Sequence, residues 1–453
     1  MSATHELTVE ALRQKITTGE IDNVIVALTD MQGRLAGKRC SARYFLEEVL
    51  GHGAEACNYL LAVDVDQNTV SGYEISSWER GYGDFMLVPD LATLRMVPWQ
   101  DRAAMVQCDI AWLDGTPVRV SPRQVLTAQT DRLAERGLVA MVGTELEFIA
   151  FDTSYEDAWA SGYRDLVPAN QYNVDYSLLG VNRAEPLLGA IRRGMEGAGL
   201  FVESVKGECN LGQHEIAFRY ADALTTCDNH VVYKNGAKEI AASLGKSLTF
   251  MSKFNEREGN SCHIHISLRS GEGEAVLAGD GAHGFSPMME SFIAGQLALV
   301  RELTLLLAPN INPYKRYADG SFAPTAVAWG LDNRTCALRI VGHGPSLRLE
   351  NRVPGGDVNP YLAVAALIAA GLYGIDHGLE LEPLFAGNAY ASDKPRVPAS
   401  LAEAAQLLRG SAAAAEAFGD DVVAHYVRAA EVELEAFGKA VTDWERFRGF
   451  ERM

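Results

Sequence analysis

Little in this 453-residue chain favours a disulfide scaffold, a membrane span or a polyanionic partner. Its cysteines number 7, an odd and scattered set without a CxxC pair, which argues against a disulfide framework and for a reducing compartment. Positive charge is in deficit: Lys+Arg total 40 against Asp+Glu 59, a formal net charge of −19. Such a surface repels phosphate backbones and anionic lipid, so neither nucleic acid nor a membrane is expected as a partner. The longest apolar stretch, Tyr361 to Ile375, is shorter than the ~20 residues a spanning helix needs. The opening MSATHELTVE holds no basic segment followed by an apolar one, so no signal peptide is expected and the cytoplasm is the expected location. What remains, 48% hydrophobic and 22% charged, is an ordinary globular mix, long enough for two or three domains at roughly 150 residues each.

After a short helical run (Val9 to Ile16), β-branched and aromatic segments dominate the first hundred residues. Ile21 to Thr29, Tyr59 to Val65, Phe85 to Val88 and Ala103 to Ile110 read as strands, bounded by Gly, Pro, Asn and Asp. A helix over about Ala42 to Leu50 interrupts them. Turn residues at Asp114-Gly115-Thr116-Pro117 precede Ser121-Pro122-Arg123, where Ser as N-cap and Pro at the first position open a helix to about Arg136. A boundary near 115–120 divides the chain into residues 1–116 and 117–453. Beyond it the pattern predicts strands at Ala140 to Phe151, Leu200 to Val205, Glu215 to Tyr220, His263 to Leu268, Cys336 to Val341 and Leu347 to Val353. Helices are predicted at Leu187 to Gly197, Asp228 to Gly245, Met288 to Leu307, Asn359 to Gly378 and Asp421 to Trp444. In the last, Val423, Tyr426, Ala430, Leu434, Phe437, Val441 and Trp444 make one apolar face. Helices without a strict βαβ rhythm point to an α+β fold with antiparallel strands.

Chemistry concentrates in four segments. Glu145 and Glu147, in GTELEF, alternate along a strand and so leave the same face. Two carboxylates that close repel, and burying both is costly without a cation between them. Glu208 and Glu215 bracket a Gly-Gln turn. His263 and His265 share a strand face, as do Arg348, Glu350 and Arg352; Arg316, Arg334 and Arg339 lie upstream. Five carboxylates (Glu145, Glu147, Glu208, Glu215, Glu350) with one imidazole (His263) suit two divalent cations, and a mostly oxygen set favours Mg²⁺ or Mn²⁺ over Zn²⁺. The arginines supply forked donors for phosphate and carboxylate. Two metals beside several arginines are equipment for phosphoryl transfer. Gly245-Lys246-Ser247 and Gly33 to Lys38 imitate a P-loop but lack its spacing.

These segments resemble the glutamine synthetase family over nearly the whole chain. The motifs are LTDMQG (28–33), GTELEF (143–148), ECNLGQHE (208–215), GKSLTFMSK (245–253), GNSCHIH (259–265), PNINPYKR (309–316), DNRTCALRI (332–340) and RLENRVPGGDVNPYL (348–362). The resemblance implies a small N-terminal β-grasp domain and a catalytic domain with a curved antiparallel sheet flanked by helices. It implies a homo-oligomer of six-membered rings, commonly a dodecamer, with sites between subunits. Glu147, Glu208 and Glu215 would hold one metal, and Glu145, His263 and Glu350 the other. Arg316, Arg352 and backbone at Gly259 would bind glutamate. ATP would meet Arg334, Arg339 and Arg348, with Glu203, Tyr220, His265 and Ser267 near the nucleotide. Asp30, from a neighbouring subunit, would take the amine's proton. The implied reaction makes a γ-glutamyl phosphate from glutamate and ATP, which an amine then displaces.

One departure bears on the amine. Where ammonia-using members carry a Glu in a Tyr-Glu-Ala-Pro context, this chain reads Ser321-Phe322-Ala323-Pro324. A Phe cannot accept hydrogen bonds from ammonium but can pack against carbon. Phe322 therefore joins Asp30 as an expected amine-pocket residue, and the departure resembles the branch that makes γ-glutamylamides from organic amines (γ-glutamylethanolamide and γ-glutamylpolyamine synthetase-like members). The expected activity is an ATP-dependent glutamate–amine ligase for a small primary amine; the alternatives are a glutamine synthetase using ammonia and a non-catalytic relative that binds neither metal nor ATP.

Overall fold

The computed structural model describes residues 7–453. Two mixed sheets organise the chain. The first is built from β1 (Asn23–Thr29), β2 (Leu35–Ser41), β3 (Ala54–Cys57), β4 (Asp84–Pro89), β5 (Arg95–Met96) and β6 (Ala103–Ala111), in the order β2-β1-β6-β4-β3 with β5 also on β6. β1 and β6 run parallel at its centre, Val26 opposite Val106, and both strands are almost wholly buried. A helical crossover from Ala42 to His52, widened by a π-turn over Phe45–Val49, completes the grasp-like arrangement.

The second sheet contains β7 (Leu138–Phe151), β8 (Val202–Gly207), β9 (Gln213–Phe218), β10 (Ala221–Asp222), β11 (Ser247–Thr249), β12 (Cys262–Ser270), β13 (Trp329–Leu331), β14 (Leu338–Val341) and β15 (Arg348–Asn351). Their order is β13-β14-β15-β12-β7-β9-β8, with β10 and β11 also on β7. Every pair is antiparallel except β13–β14. Helices Pro122–Ala134, Ala223–Ser243, Pro287–Leu299 and Pro360–Asp376 back it. The last is buried on nearly every side and was the longest apolar run in the sequence. It approaches Pro287–Leu299 closely because Gly295 faces Gly374: a Cβ on Gly295 would lie 2.6 Å from the Gly374 nitrogen.

A buried polar cluster ties the sheets together. The Arg123 guanidinium pairs with Asp90 and Asp109 of the first sheet's region and with Asp228. Tyr361 Oη donates to Asp228 at 2.6 Å. The buried charges of Arg123 and Asp228 survive there because each has several partners, while Asp109 stays half-exposed.

Several expected elements differ. Tyr59 to Val65 is not a strand: a 3₁₀ turn covers Asn58–Leu61, closed by the Ala62 amide on the Tyr59 carbonyl. Short apolar runs do not distinguish the two, and among the described residues the segment forms only an isolated bridge, from Val63 to Thr69. The helix expected from Leu187 begins at Leu178 and runs through Pro186. Met288 to Leu307 splits into Pro287–Leu299 and Thr304–Leu307. The long C-terminal helix stops at Lys439 and a second begins at Asp443, because Thr442 and Glu445 form a capping box. The expected apolar face is therefore interrupted, and Phe437, Val441 and Trp444 are 44%, 62% and 68% exposed. β2 and the helices Leu401–Arg409 and Ala412–Phe418 were not anticipated.

Candidate active site

Strand register assembles the charged residues. On β7, Glu147 lies opposite Glu215 of β9, and Glu145 lies opposite His263 of β12. On β15, Glu350 lies between His265 of β12 and Arg339 of β14. Like charges directly opposed across strands are destabilising, so the Glu147–Glu215 pairing requires compensation.

Ligand-capable atoms of Glu147, Glu208 and Glu215 lie within 4.8 Å of one another, as do those of Glu145, His265 and Glu350, a group that holds His265 where the sequence led to His263. Glu147 accepts from the Ser261 amide at 2.8 Å and the Gln213 side chain at 3.1 Å. Burial pushes its pKa up to about 7 against those donors and nearby Arg316. Burial, with Glu145 next, pushes Glu215 up to about 8. Both carboxyls thus lack enough positive charge nearby. Glu145 and Glu350 differ: burial opposes their charge, yet the His263 and His265 imidazoles hold Glu145 below its ordinary value. His263 and Arg352 do the same for Glu350.

The two histidines take distinct positions. His265 Nδ1 accepts from Arg348 Nε at 3.2 Å, which leaves Nε2 to donate to Glu145 at 2.9 Å. His263 Nδ1 faces Glu145 and Glu350 at 3.4 and 3.5 Å, while its buried Nε2 has no partner. Burial, with Arg352 adding to it, lowers His263 to about 4 against the pull of Glu145 and Glu350. A lone pair on Nδ1 beside two carboxylates at these separations suits cis ligands of one Mg²⁺-sized ion, about 3 Å apart when bonds are about 2.1 Å. The donor set therefore fits a hard divalent cation.

Two cavities meet here. One, of about 490 Å³, is lined by Glu203, Tyr220, His265, Ser267 and Arg348. The other, of about 380 Å³, is lined by Glu147, Glu208, Glu215, His263, Gly259, Phe322, Arg334, Arg339 and Arg352. Glu145 lines both, so this carboxylate stands at their junction, with Glu147, Glu208 and Glu215 on the wall of the second.

Three expected residues line neither cavity: Arg316, Asp30 and Glu350, the last fully buried. Arg316 is buried behind the second cavity, its guanidinium donating to the carbonyls of Val353 and Arg352. Asp30 sits in the turn after β1 and does not line either cavity of its own chain. Its carboxylate accepts from the Gln32 and Arg34 amides and from Arg34 Nε at 2.7 Å. The Asn359 side chain holds the Asp30 and Met31 carbonyls.

Phe322 is 58% exposed at the cavity wall with φ 59°. Left-handed backbone is rare for a bulky residue and marks a constrained turn; Arg352 donates to its carbonyl at 3.2 Å. Residues not anticipated are Lys206, which pairs with Glu208 and lies 3.8 Å from Glu215, and Asp175, Tyr176 and Cys209 on the cavity wall. Lys206 lies at the end of β8, past the strand expected from the sequence, two residues before Glu208; Asp175 and Tyr176 carried no local signal.

Residues 119–448 match the family model described as glutamine synthetase, catalytic domain. The chain is 63% identical to gamma-glutamylethanolamide synthetase GlnA4 of Streptomyces coelicolor, over 99% of this chain and 97% of that protein. It is 37% identical to glutamate–isopropylamine ligase of a Pseudomonas species, over 99% of each. A solved structure of a GmaS/ADP complex superposes with a TM-score of 0.85 at 26% identity, covering 97% of this chain and 99% of that one.

Proposed function

The chain belongs to the glutamine synthetase family, and from that premise we propose that it is an ATP-dependent ligase joining the γ-carboxylate of L-glutamate to a small organic primary amine. The observation that carries this reading is the junction at Glu145. A nucleotide in the larger cavity would point its phosphates at the carboxylates and meet an amino acid held in the smaller one.

In this reading Glu147, Glu208 and Glu215 hold one Mg²⁺ or Mn²⁺, and Glu145, Glu350 and His263 the other. The chemistry such cations supply is screening between the terminal phosphate and the incoming carboxylate. Arg334, Arg339 and Arg348 face the phosphates. Arg352 and the Gly259 backbone hold glutamate, with Arg316 supporting Arg352 from behind through its carbonyl. The glutamate carboxylate attacks the γ-phosphorus and ADP leaves. The amine nitrogen then attacks the acyl carbon, and phosphate departs as the amide forms. Both steps develop negative charge that fixed guanidinium groups stabilise without reorganising.

Asp30, remote from its own chain's cavities, serves as proton acceptor in an adjacent subunit's site, within six-membered rings. Phe322, placed on the cavity wall without an acceptor atom, favours an amine with carbon to bury. The division at 116/117 separates the part that lends Asp30 from the part that carries the other residues. Among the described residues no helix is long and apolar enough to cross a membrane, and we place the enzyme in the cytoplasm.

Phosphate release with glutamate, ATP, Mg²⁺ and a panel of amines tests the proposal. Turnover with ethanolamine-like monoamines and little with ammonia is expected. Robust turnover with ammonia and none with any organic amine would reject it.

A further inference from the structure

The acidic corner made by Glu147, Glu208 and Glu215 already contains a cation of its own. Lys206 on β8 stands directly opposite Glu215 on β9. Its ammonium pairs with Glu208 and lies 3.8 Å from Glu215. The side chain is largely buried and crosses the Tyr176 ring, 5.0 Å from its centroid, which limits where the ammonium can go. The other charged groups here are Glu145 and, beyond it, Glu350, and Asp175, whose ligand-capable atom lies within 4.8 Å of that of Glu208. Arg316 and Arg352 both act on Glu147; Arg352, with Arg339, is engaged with Glu350, and Arg316 with two backbone carbonyls. Lys206 is thus the cation paired directly with two of the trio, Glu208 and Glu215.

We propose that Lys206 is a positioning residue, a tethered counter-cation that gathers Glu208 and Glu215 before a metal arrives and limits their corner to a single, exchangeable divalent ion. Three carboxylates and one ammonium leave two negative charges, which one divalent cation cancels. Without the ammonium, the same ion would leave one charge uncancelled, and the corner would bind it more tightly. A lysine does this better than a mobile ion because its stem fixes the charge on one side of the trio and leaves the other side open to the cavity.

The inference rests on the metal-holding role given to the trio above. The full-length protein is stripped with a chelator and titrated with Mn²⁺, following free Mn²⁺ by electron paramagnetic resonance and the melting temperature in parallel. In Lys206→Met the affinity for Mn²⁺ is expected to tighten by about tenfold or more, since a unit positive charge a few ångströms away is removed from a partly buried site. The metal-free melting temperature should fall while the rise on adding Mn²⁺ grows. Lys206→Arg should bind like the wild type, and Lys206→Gln should repeat the Met result should the Met variant not fold. Unchanged or weaker Mn²⁺ binding in both neutral variants overturns the role of Lys206 while leaving the ligase reading intact. A wild type that binds no Mn²⁺ overturns both.

Discussion

Glu350→Gln is the most demanding perturbation of the site because its consequence follows from contacts inside one chain. Glu350 is fully buried. It accepts from Arg339 Nη1 at 2.7 Å and from Arg352, and stands 3.5 Å from His263. Although burial works against its charge, His263 and Arg352 hold its pKa below the ordinary carboxylate value, so the surroundings favour the anion. Gln keeps the volume but removes the charge and turns an NH₂ toward a guanidinium. Breaking a buried ion pair costs about 3–5 kcal/mol because the partner is left uncompensated. Arg339 retains Asp332, whereas Arg352, also buried, retains only the Phe322 carbonyl, which places the loss near 3 kcal/mol, or roughly two powers of ten in the folding equilibrium. Urea unfolding of the metal-free protein, followed by circular dichroism at fixed protomer concentration, measures it. Glu79→Gln, at an exposed position, is the control and should stay within about 0.5 kcal/mol. Glutamate-dependent phosphate release by Glu350→Gln should fall to background. A variant as stable as the control, or one with unaltered turnover, would refute the reasoning.

Three further outcomes are expected. With Glu147 raised to about 7 and Glu215 to about 8 from an ordinary 4.5, these two carboxyls hold more protons in the native metal-free protein than in the unfolded chain across that interval. Their contribution to stability should therefore fall as pH rises from about 4.5 to 8, against buried His214, His230, His263 and His425, whose lowered values act the other way, while Mn²⁺ affinity rises. The stability difference between wild type and Glu215→Gln at several pH values, with Mn²⁺ titrations, checks this, and a pH-independent difference would contradict it. Phe322→Glu should gain ammonia-dependent phosphate release and lose about tenfold or more in kcat/KM for an organic amine; steady-state kinetics with both nucleophiles decides. In Gly259→Ala the new Cβ would lie 2.8 Å from Arg316 Cγ and press on the Ser252 carbonyl, so a loss of about 1–3 kcal/mol and a raised KM for glutamate are expected from melts and saturation kinetics.

Much of the site was legible in the primary structure because strand alternation is local. Glu145 with Glu147, and His263 with His265, share faces by period alone. The four carboxylates of GTELEF and ECNLGQHE, together with Glu350, carried the expectation of cations; in the fold Glu350 is met by Arg339 and Arg352. Local pattern also located most strands and helices, but it failed where a second signal competed. The Thr442–Glu445 box cuts the C-terminal helix, and the Tyr59-Leu60-Leu61 run found no partner strand and closed as a turn.

Register, by contrast, is a property of pairs of strands distant in sequence. Only the folded sheet decides that Glu147 meets Glu215 and that Lys206 meets Glu215 in turn. Only the fold aims His263 Nδ1 at two carboxylates while His265 is held between Arg348 and Glu145. Residue types thus determined which charges had to be balanced; the tertiary structure decided which group balances each, because Coulomb and hydrogen-bond energies depend on separations of a few ångströms that no linear pattern contains.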